Sequence, residues 1–412
     1  MSTHPFIQHL EVKNLGLFDN LEVSFTPGIN IIIGPNASGK TSMLRAITYC
    51  FNGQSVALHK FQEDTSFGIT INEGNGSSFM AGWNGLREKN ETYHNTGITV
   101  VGNSYPKPSY SPFPGEVPYN LLAIGAHRFF DYTNVEFVKK EEDASKAKRN
   151  YDQNNPAYMD KPGLPSLKQW MVNRYFQIDK DWAEVERSNW RMIIDRLSIL
   201  SPNENEFYLK EIGRDLEPQF VLDGKVCYLE ELSSGFKSIL SIVFSIIQWI
   251  ELVNKDEKRL IQNAEGTVLI DEIDSHLHPS WQAQIMHALR RIFPSLQFIV
   301  TTHSPLVMST IRNSAKDSIQ EIVYKKDEGY RCEKIQTYGN DASSIIAGTL
   351  DSIPRDVEAD AAFSNLYNLI DMEQYEDAQA RLSELKEIYG ELPELIQAQT
   401  MLTFLKPEND CN

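Results

Sequence analysis

The chain has 412 residues, 41% of them hydrophobic, with 56 acidic against 39 basic side chains and a formal net charge of -17. That length allows two or three structural units held by buried apolar surface, and the acidity argues against a broadly basic nucleic-acid surface, because counterion release rewards clustered Lys and Arg. Cys50, Cys227, Cys332 and Cys411 are scattered without paired or metal-ligand spacing, so they read as free thiols of a reducing compartment and not as a disulfide framework or zinc site.

From the N-terminus, His4 to Phe25 alternates as short strands instead of forming a basic-then-apolar leader, which predicts a cytoplasmic protein. Ile7 to Val12, Leu21 to Phe25 and, after a Pro27-Gly28 turn, the apolar run Ile29 to Ile33 read as strands. From Thr41, the positions Met43, Leu44, Ile47, Tyr49 and Phe51 suit a helix ending near Asn52-Gly53. Phe67 to Ile71 and Gly97 to Val101 are strand-like pieces of a polar meander, and Tyr105 to Pro118 reads as a proline-rich loop. After the strand-like Leu121 to Ile124, the polar segment Lys139 to Pro165 has too little hydrophobicity to predict order.

Leu167 to Leu200 then reads as one Trp-rich helix, a lid or arm too short for a long coiled coil. Two local groups of basic residues, Lys139 to Arg149 and Arg187, Arg191 and Arg196, are the candidates for a local basic patch, with a solvated helix face as the favoured reading. The most apolar stretch, Ile239 to Val253, is shorter than the roughly 20 residues of a membrane span and contains Ser241, Ser245, Gln248 and Glu251, so a buried core helix and no membrane contact are expected. Thr267 to Ile270, a helix from Trp281 to Ile292 and the strand Phe298 to Thr302 repeat the rhythm of a mainly parallel sheet. Leu366 to Leu385 and Leu392 to Leu405 read as an acidic helical pair split at Tyr389-Gly390, with a tetratricopeptide-like pattern at Tyr375-Glu376-Asp377-Ala378.

Four motifs carry chemistry. Gly34-Pro35-Asn36-Ala37-Ser38-Gly39-Lys40-Thr41, followed by Ser42, matches the G-x-x-x-x-G-K-[ST] phosphate loop between a strand and a helix, where backbone N–H groups converge on phosphate oxygens. In that pattern Lys40 reaches the β- and γ-phosphates of ATP and the Thr41 hydroxyl ligates Mg²⁺. The apolar strand Thr267 to Ile270 delivers Asp271 and Glu272, one to hold Mg²⁺ through water and the other to polarise the attacking water. Glu231-Leu232-Ser233-Ser234-Gly235-Phe236-Lys237-Ser238 leads into the long apolar helix, and Thr301-Thr302-His303-Ser304-Pro305 follows the next strand. His276 and His278 stand on alternate positions of a turn, which closes no metal ligand set.

The third motif resembles the ABC signature L-S-G-G-Q, with Ser234 in place of the first Gly and Phe236 in place of Gln. With the Asp271-Glu272-Ile273-Asp274-Ser275-His276-Leu277-His278-Pro279 and Thr302-His303-Ser304-Pro305 elements, the order of motifs is similar to that of the bacterial SMC/RecF-like AAA-family ATPases, and among these the ATPases of Septu and retron antiphage systems. The resemblance implies an α/β, ABC-type P-loop ATPase head with a mixed, mainly parallel core sheet, a helical insertion and a C-terminal helical hairpin. It divides the chain into a discontinuous head of residues 1–138 and 201–352, an insertion of 139–200, and an acidic hairpin of 353–412 as a partner-docking element.

It further implies that Ser233, Ser234, Gly235 and the D-loop residue Asp274 complete the ATP site of a second copy, that His303 touches the γ-phosphate, and that the chain works as a homodimer or higher oligomer. A separate HNH-type nuclease would be the effector and DNA or a retron RNA–DNA hybrid a further partner. For the Q-loop, Gln62 and the Ala126-His127-Arg128 segment are the candidates. Against a transporter ATPase stands the lack of a clear Gln-bearing loop. Against an intrinsic nuclease stands a tail with no spaced Glu and Asp-x-Asp constellation. A DNA-repair ATPase of the RecF or Rad50 type is the alternative, and it calls for a basic dimer face.

Overall fold

Alternation along Phe6–Leu15 buries Leu10 and Val12 on one side, and that side faces the core of an antiparallel sheet. The computed structural model describes residues 4–52, 65–83, 98–102, 105–111, 117–128, 132–159, 167–200, 207–348 and 356–405. It divides into two units, Met1–Asp341 and Ala342–Asn412.

In the first unit, β1 (Phe6–Leu15) and β2 (Phe18–Ser24) form a hairpin, β3 (Ile29–Ile33) is wholly buried, and α1 (Lys40–Tyr49) follows. Next come β4 (Ser66–Asn72), β5 (Ser78–Trp83), β6 (Ile98–Gly102) and β7 (Tyr105–Ser111), which extend the hairpin into a six-stranded sheet of order β2-β1-β4-β5-β6-β7. The strand β7 corrects the loop expected from Tyr105: Pro106 and Pro108 are tolerated because β7 lies at the sheet edge, where a missing N–H need break no ladder bond.

β8 (Leu121–Ile124) leads to α2 (Ala144–Tyr158), α3 (Leu167–Gln177) and α4 (Glu184–Ile194). The order in 144–158 corrects the reading of that segment as unstructured. Asp143 caps α2 by accepting from Ser145 N, and the buried Asn155 accepts from Ala123 N and donates to Leu121 O, both at 2.9 Å, so a polar side chain ties α2 to the edge of β8 beside the buried Ala147 and Tyr151. The single helix expected over 167–200 is broken after Gln177, where Arg187 donates to the turn carbonyls of Ile178 and Lys180.

β9 (Phe207–Ile212), β10 (Pro218–Leu222) and β11 (Lys225–Tyr228) make a small antiparallel sheet ahead of α5 (Ser234–Val253). Then follow β12 (Thr267–Ile270), α6 (Pro279–Gln282), α7 (Ile285–Ile292), β13 (Gln297–Thr301), α8 (Pro305–Met308), β14 (Ser318–Lys325) and β15 (Gly329–Lys334). The helix expected over 281–292 is thus two short ones.

The core sheet runs β8-β12-β13-β3-β14-β15, parallel except for the last pair. Its strands β3, β8, β12 and β13 are buried at every position, as strands covered on both faces must be. One apolar cluster joins Leu10 and Ile69 of the antiparallel sheet, Met43, Leu44 and Ile47 of α1, and Ile32, Leu269 and Ile299 of the core sheet. Helix α5 has 20 residues, longer than its apolar stretch suggested and long enough to cross a membrane, but 89% of that window is buried inside the protein. The insertion is clamped to it by the buried Arg174, whose guanidinium meets Glu251 at 2.6 Å and Glu141 at 3.1 Å.

The second unit holds α9 (Ala342–Gly348), α10 (Val357–Asp371), α11 (Tyr375–Tyr389) and α12 (Pro393–Leu405). Where the pattern predicted a helical pair, three consecutive helices, α10 to α12, share the core of Phe363, Leu366, Ile370, Leu382, Leu385, Leu395 and Leu402. The apolar period continued through 366–385, but the chain turns at Glu373, which has φ 60°.

Candidate active site

Three parallel strands end side by side: β3 releases the glycine loop, β12 the acidic pair and β13 the Thr-His-Ser-Pro segment. The loop turns through left-handed backbone at Ala37 (φ 62°) and Gly39 (φ 92°). At Gly39 a side chain has no room, since a Cβ would stand 2.4 Å from Phe18 Cζ. The Lys40 ammonium is largely buried and donates to Gly34 O and Pro35 O, each at 2.9 Å. Burial lowers its pKa, opposed by Asp271, Glu272 and Asp274. The first N–H groups of α1 lack intrahelical acceptors, which fits a loop shaped for an anionic oxygen cluster.

Asp271 receives two hydroxyls, Thr41 Oγ1 on Oδ2 at 2.7 Å and Thr301 Oγ1 on Oδ1 at 2.5 Å. The Thr301 oxygen also accepts from Glu272 N at 2.7 Å. Glu272 itself adopts φ 48°, and its Oε2 accepts from Ser275 Oγ at 2.8 Å. Asp274 Oδ1 accepts from Thr302 Oγ1 at 2.5 Å and His303 N at 3.3 Å, fastening the D-loop to the histidine segment. The His303 imidazole is half-buried, and burial, then Lys40, lower its pKa against the pull of the three carboxylates.

These groups surround a cavity of about 250 Å³. Asn36, Ala37, Gly39, Lys40, Thr41 and Ser42 line it from the loop, with Asp271, Glu272 and His303 opposite. Of the other expected residues, Gly34 and Pro35 hold Lys40 from behind, while Ser38 and Asp274 are outside the lining. Leu17, in the turn between β1 and β2, lines the cavity without having been singled out; nothing in its local pattern tells which turn the sheets will carry over the loop.

Ser233, Ser234 and Gly235 are also outside the lining. They stand at the N-terminus of α5, with both serines exposed and Gly235 pressed so close to Trp281 that a Cβ would lie 2.4 Å from Cζ3. Phe236, which departs from the signature pattern, packs between Phe207 and Trp281 with ring centroids 4.7 Å from each. Gln62 lies outside the described residues. Arg128 does not line the cavity; it is 2% exposed and its guanidinium is taken up by backbone carbonyls behind the acidic pair. Burial lowers its pKa to about 10, still cationic at neutral pH. His278 caps α6, and among the described residues no group of three or more His, Cys, Asp and Glu could hold a metal ion.

Phosphate loop, acidic strand end and histidine segment at the ends of neighbouring strands of a mainly parallel sheet make the α/β arrangement of a P-loop ATPase head. A family model described as "AAA ATPase domain" matches residues 6–157, and one described as an AAA domain of AbiEii-toxin type (Type IV TA system) matches residues 164–309. The chain is similar to the Septu protein PtuA of Bacillus thuringiensis, 29% identical over 307 residues, covering 73% of this chain and 72% of that one. It is also similar to the Septu protein PtuA of Bacillus mycoides (strain KBAB4), at 26% identity over 73% of this chain and 38% of the relative, and to the Retron Ec83 probable ATPase of Escherichia coli, at 48% identity over 20% and 15%. The match therefore spans less than half the length of the last two.

Proposed function

We propose that the chain binds Mg-ATP and hydrolyses it between two copies of its head, and that the nucleotide state gates a separate nuclease in antiphage defence. In this reading the loop Gly34–Thr41 and Ser42 hold the phosphates, with Lys40 on the β- and γ-phosphates. Thr41, and Asp271 through water, hold Mg²⁺. Glu272 orients the attacking water, and His303 meets the γ-phosphate. The observation that carries the shared site is the placement of Ser233 and Ser234, exposed at a helix N-terminus yet outside the cavity of their own chain. Such a turn suits the γ-phosphate of a nucleotide held by a twin, with Asp274 beside it. Closure then depends on ATP, because the terminal phosphate gains those contacts only in the dimer.

The defence role is supported by the similarity to Septu and retron proteins; an HNH-type nuclease as effector and DNA or an RNA–DNA hybrid as a further ligand are part of the proposal. The acidic unit Ala342–Asn412, with Glu376, Asp377, Glu384, Glu387 and Glu391, is the proposed docking element for that partner. Copurification with the product of a neighbouring gene tests the reading. An HNH protein recovered with the chain supports it; DNA cleavage by the chain alone with a divalent metal overturns it. Direct DNA binding without any companion would favour the repair-type alternative.

A further inference from the structure

Ser238 lies one turn behind the exposed Ser234 on α5 and is 2% exposed. Its hydroxyl oxygen accepts from Arg128 Nε at 3.1 Å and its proton points to Ser275 O at 3.5 Å. Three of the four remaining Arg128 N–H groups donate to the carbonyl oxygens of Asp271 at 2.7 Å, Glu272 at 2.6 Å and Gly125 at 3.1 Å. Ser275 closes the circuit, since its own hydroxyl donates to Glu272 Oε2 at 2.8 Å.

From this geometry we infer that Arg128 and Ser238 are positioning residues that transmit phosphate capture at the serine turn to the carboxylate of Glu272. The inference rests on the shared-site reading above and names the internal path by which that site is regulated. A helix moves as a stiff rod, so a pull on Ser233–Gly235 displaces Ser238 with it. Gly235 packs so closely on Trp281, where a Cβ would stand 2.4 Å from Cζ3, that the first turn of α5 has no room to absorb such a pull by itself. Ser238 then moves against Ser275 and Arg128 together. The 3.5 Å contact to Ser275 O is long, so a shift of a few tenths of an ångström makes or breaks it.

Arg128 suits this place for a physical reason. A planar cation with five donors can hold three carbonyls and a hydroxyl at fixed angles, and charge-assisted bonds are roughly twice as strong as neutral ones. Lys keeps the charge but cannot span the same acceptors. Because Arg128 is absent from the cavity lining, its effect on turnover passes through the backbone at Asp271 and Glu272 and not through phosphate contact.

The test compares Ser238→Ala, Arg128→Lys and the double variant of the full chain by kcat, KM for ATP, nucleotide Kd and melting temperature. Ser238→Ala is expected to lower kcat by about fivefold or more while Kd and KM stay within about twofold. Arg128→Lys should lose at least as much, and the double variant no more than Arg128→Lys alone, because the two act in one path. Parental kcat in Ser238→Ala, or losses that multiply in the double variant, would overturn the inference.

If Arg128→Lys does not fold, Ser238→Ala in the Glu272→Gln background decides. ATP-driven dimerisation equal to that of Glu272→Gln alone, with slowed turnover in the Ser238→Ala chain, places the loss after capture; weakened dimerisation overturns the path. Failure of Glu272→Gln itself to dimerise with ATP would instead remove the shared-site reading.

Discussion

Thr41 Oγ1 and Asp271 Oδ2, 230 positions apart in the chain, meet at 2.7 Å. Two parallel strands with β13 between them bring a helix-start hydroxyl and a strand-end carboxylate together as paired oxygen donors, the chemistry Mg²⁺ prefers. Nucleotide affinity measured with Mg²⁺ and with a chelator checks their role. The parent is expected to bind more tightly with the metal, and Asp271→Asn or Thr41→Ala to lose about tenfold of that gain.

Lys40→Ala and Glu272→Gln should separate binding from turnover. The first removes the cation over the loop and is expected to abolish nucleotide binding. The second leaves binding intact, lowers turnover by about a hundredfold or more, and accumulates an ATP-bound dimer visible by sedimentation. Turnover of the parent should itself be slow, below about 1 s⁻¹, since chemistry waits on closure. A monomeric Glu272→Gln protein at saturating ATP would contradict the scheme.

Acid pH should act through His303. Burial, then Lys40, lower its pKa from the ordinary imidazole value, which favours the neutral ring. The profile of kcat/KM, which reports the free enzyme, should fall on its acid side at a lower pH than an ordinary imidazole would give, and His303→Gln should remove that acid limb. The sign for stability is the same: with the folded-state pKa below the unfolded one, the contribution is complete above 6.5 and is lost as pH falls through the folded-state value.

Gly235→Ala places a methyl 2.4 Å from Trp281 Cζ3, and the backbone of α5 or the indole must yield. Overpacking of this kind costs about 1–3 kcal/mol, here directed at the front of α5. ATP-driven dimerisation in the Glu272→Gln background should weaken by about tenfold, while the nucleotide affinity of the monomer is preserved.

Asn155→Ala removes both bonds that dock α2 on β8 and leaves Ala123 N and Leu121 O buried without them. The expected loss is about 1–3 kcal/mol of stability, read as a lower melting temperature with the catalytic residues untouched.

What could be read in the chain beforehand was local. A glycine loop between an apolar strand and an amphipathic helix has one backbone solution, and the runs Ile29–Ile33 and Thr267–Ile270 announce strands buried on both faces. The same local reading failed at 144–158, where order comes from Asn155 reaching a strand edge, and at Glu373, where a helix turns without a proline or glycine to mark it.

Tertiary structure alone decided which distant groups became neighbours. It set the carbonyls of Asp271 and Glu272 on Arg128, placed Leu17 at the cavity, and left Ser233 and Ser234 outside the cavity lining. Hydrophobic periodicity records which face of each element is buried but not the register between elements, and the site is made by that register.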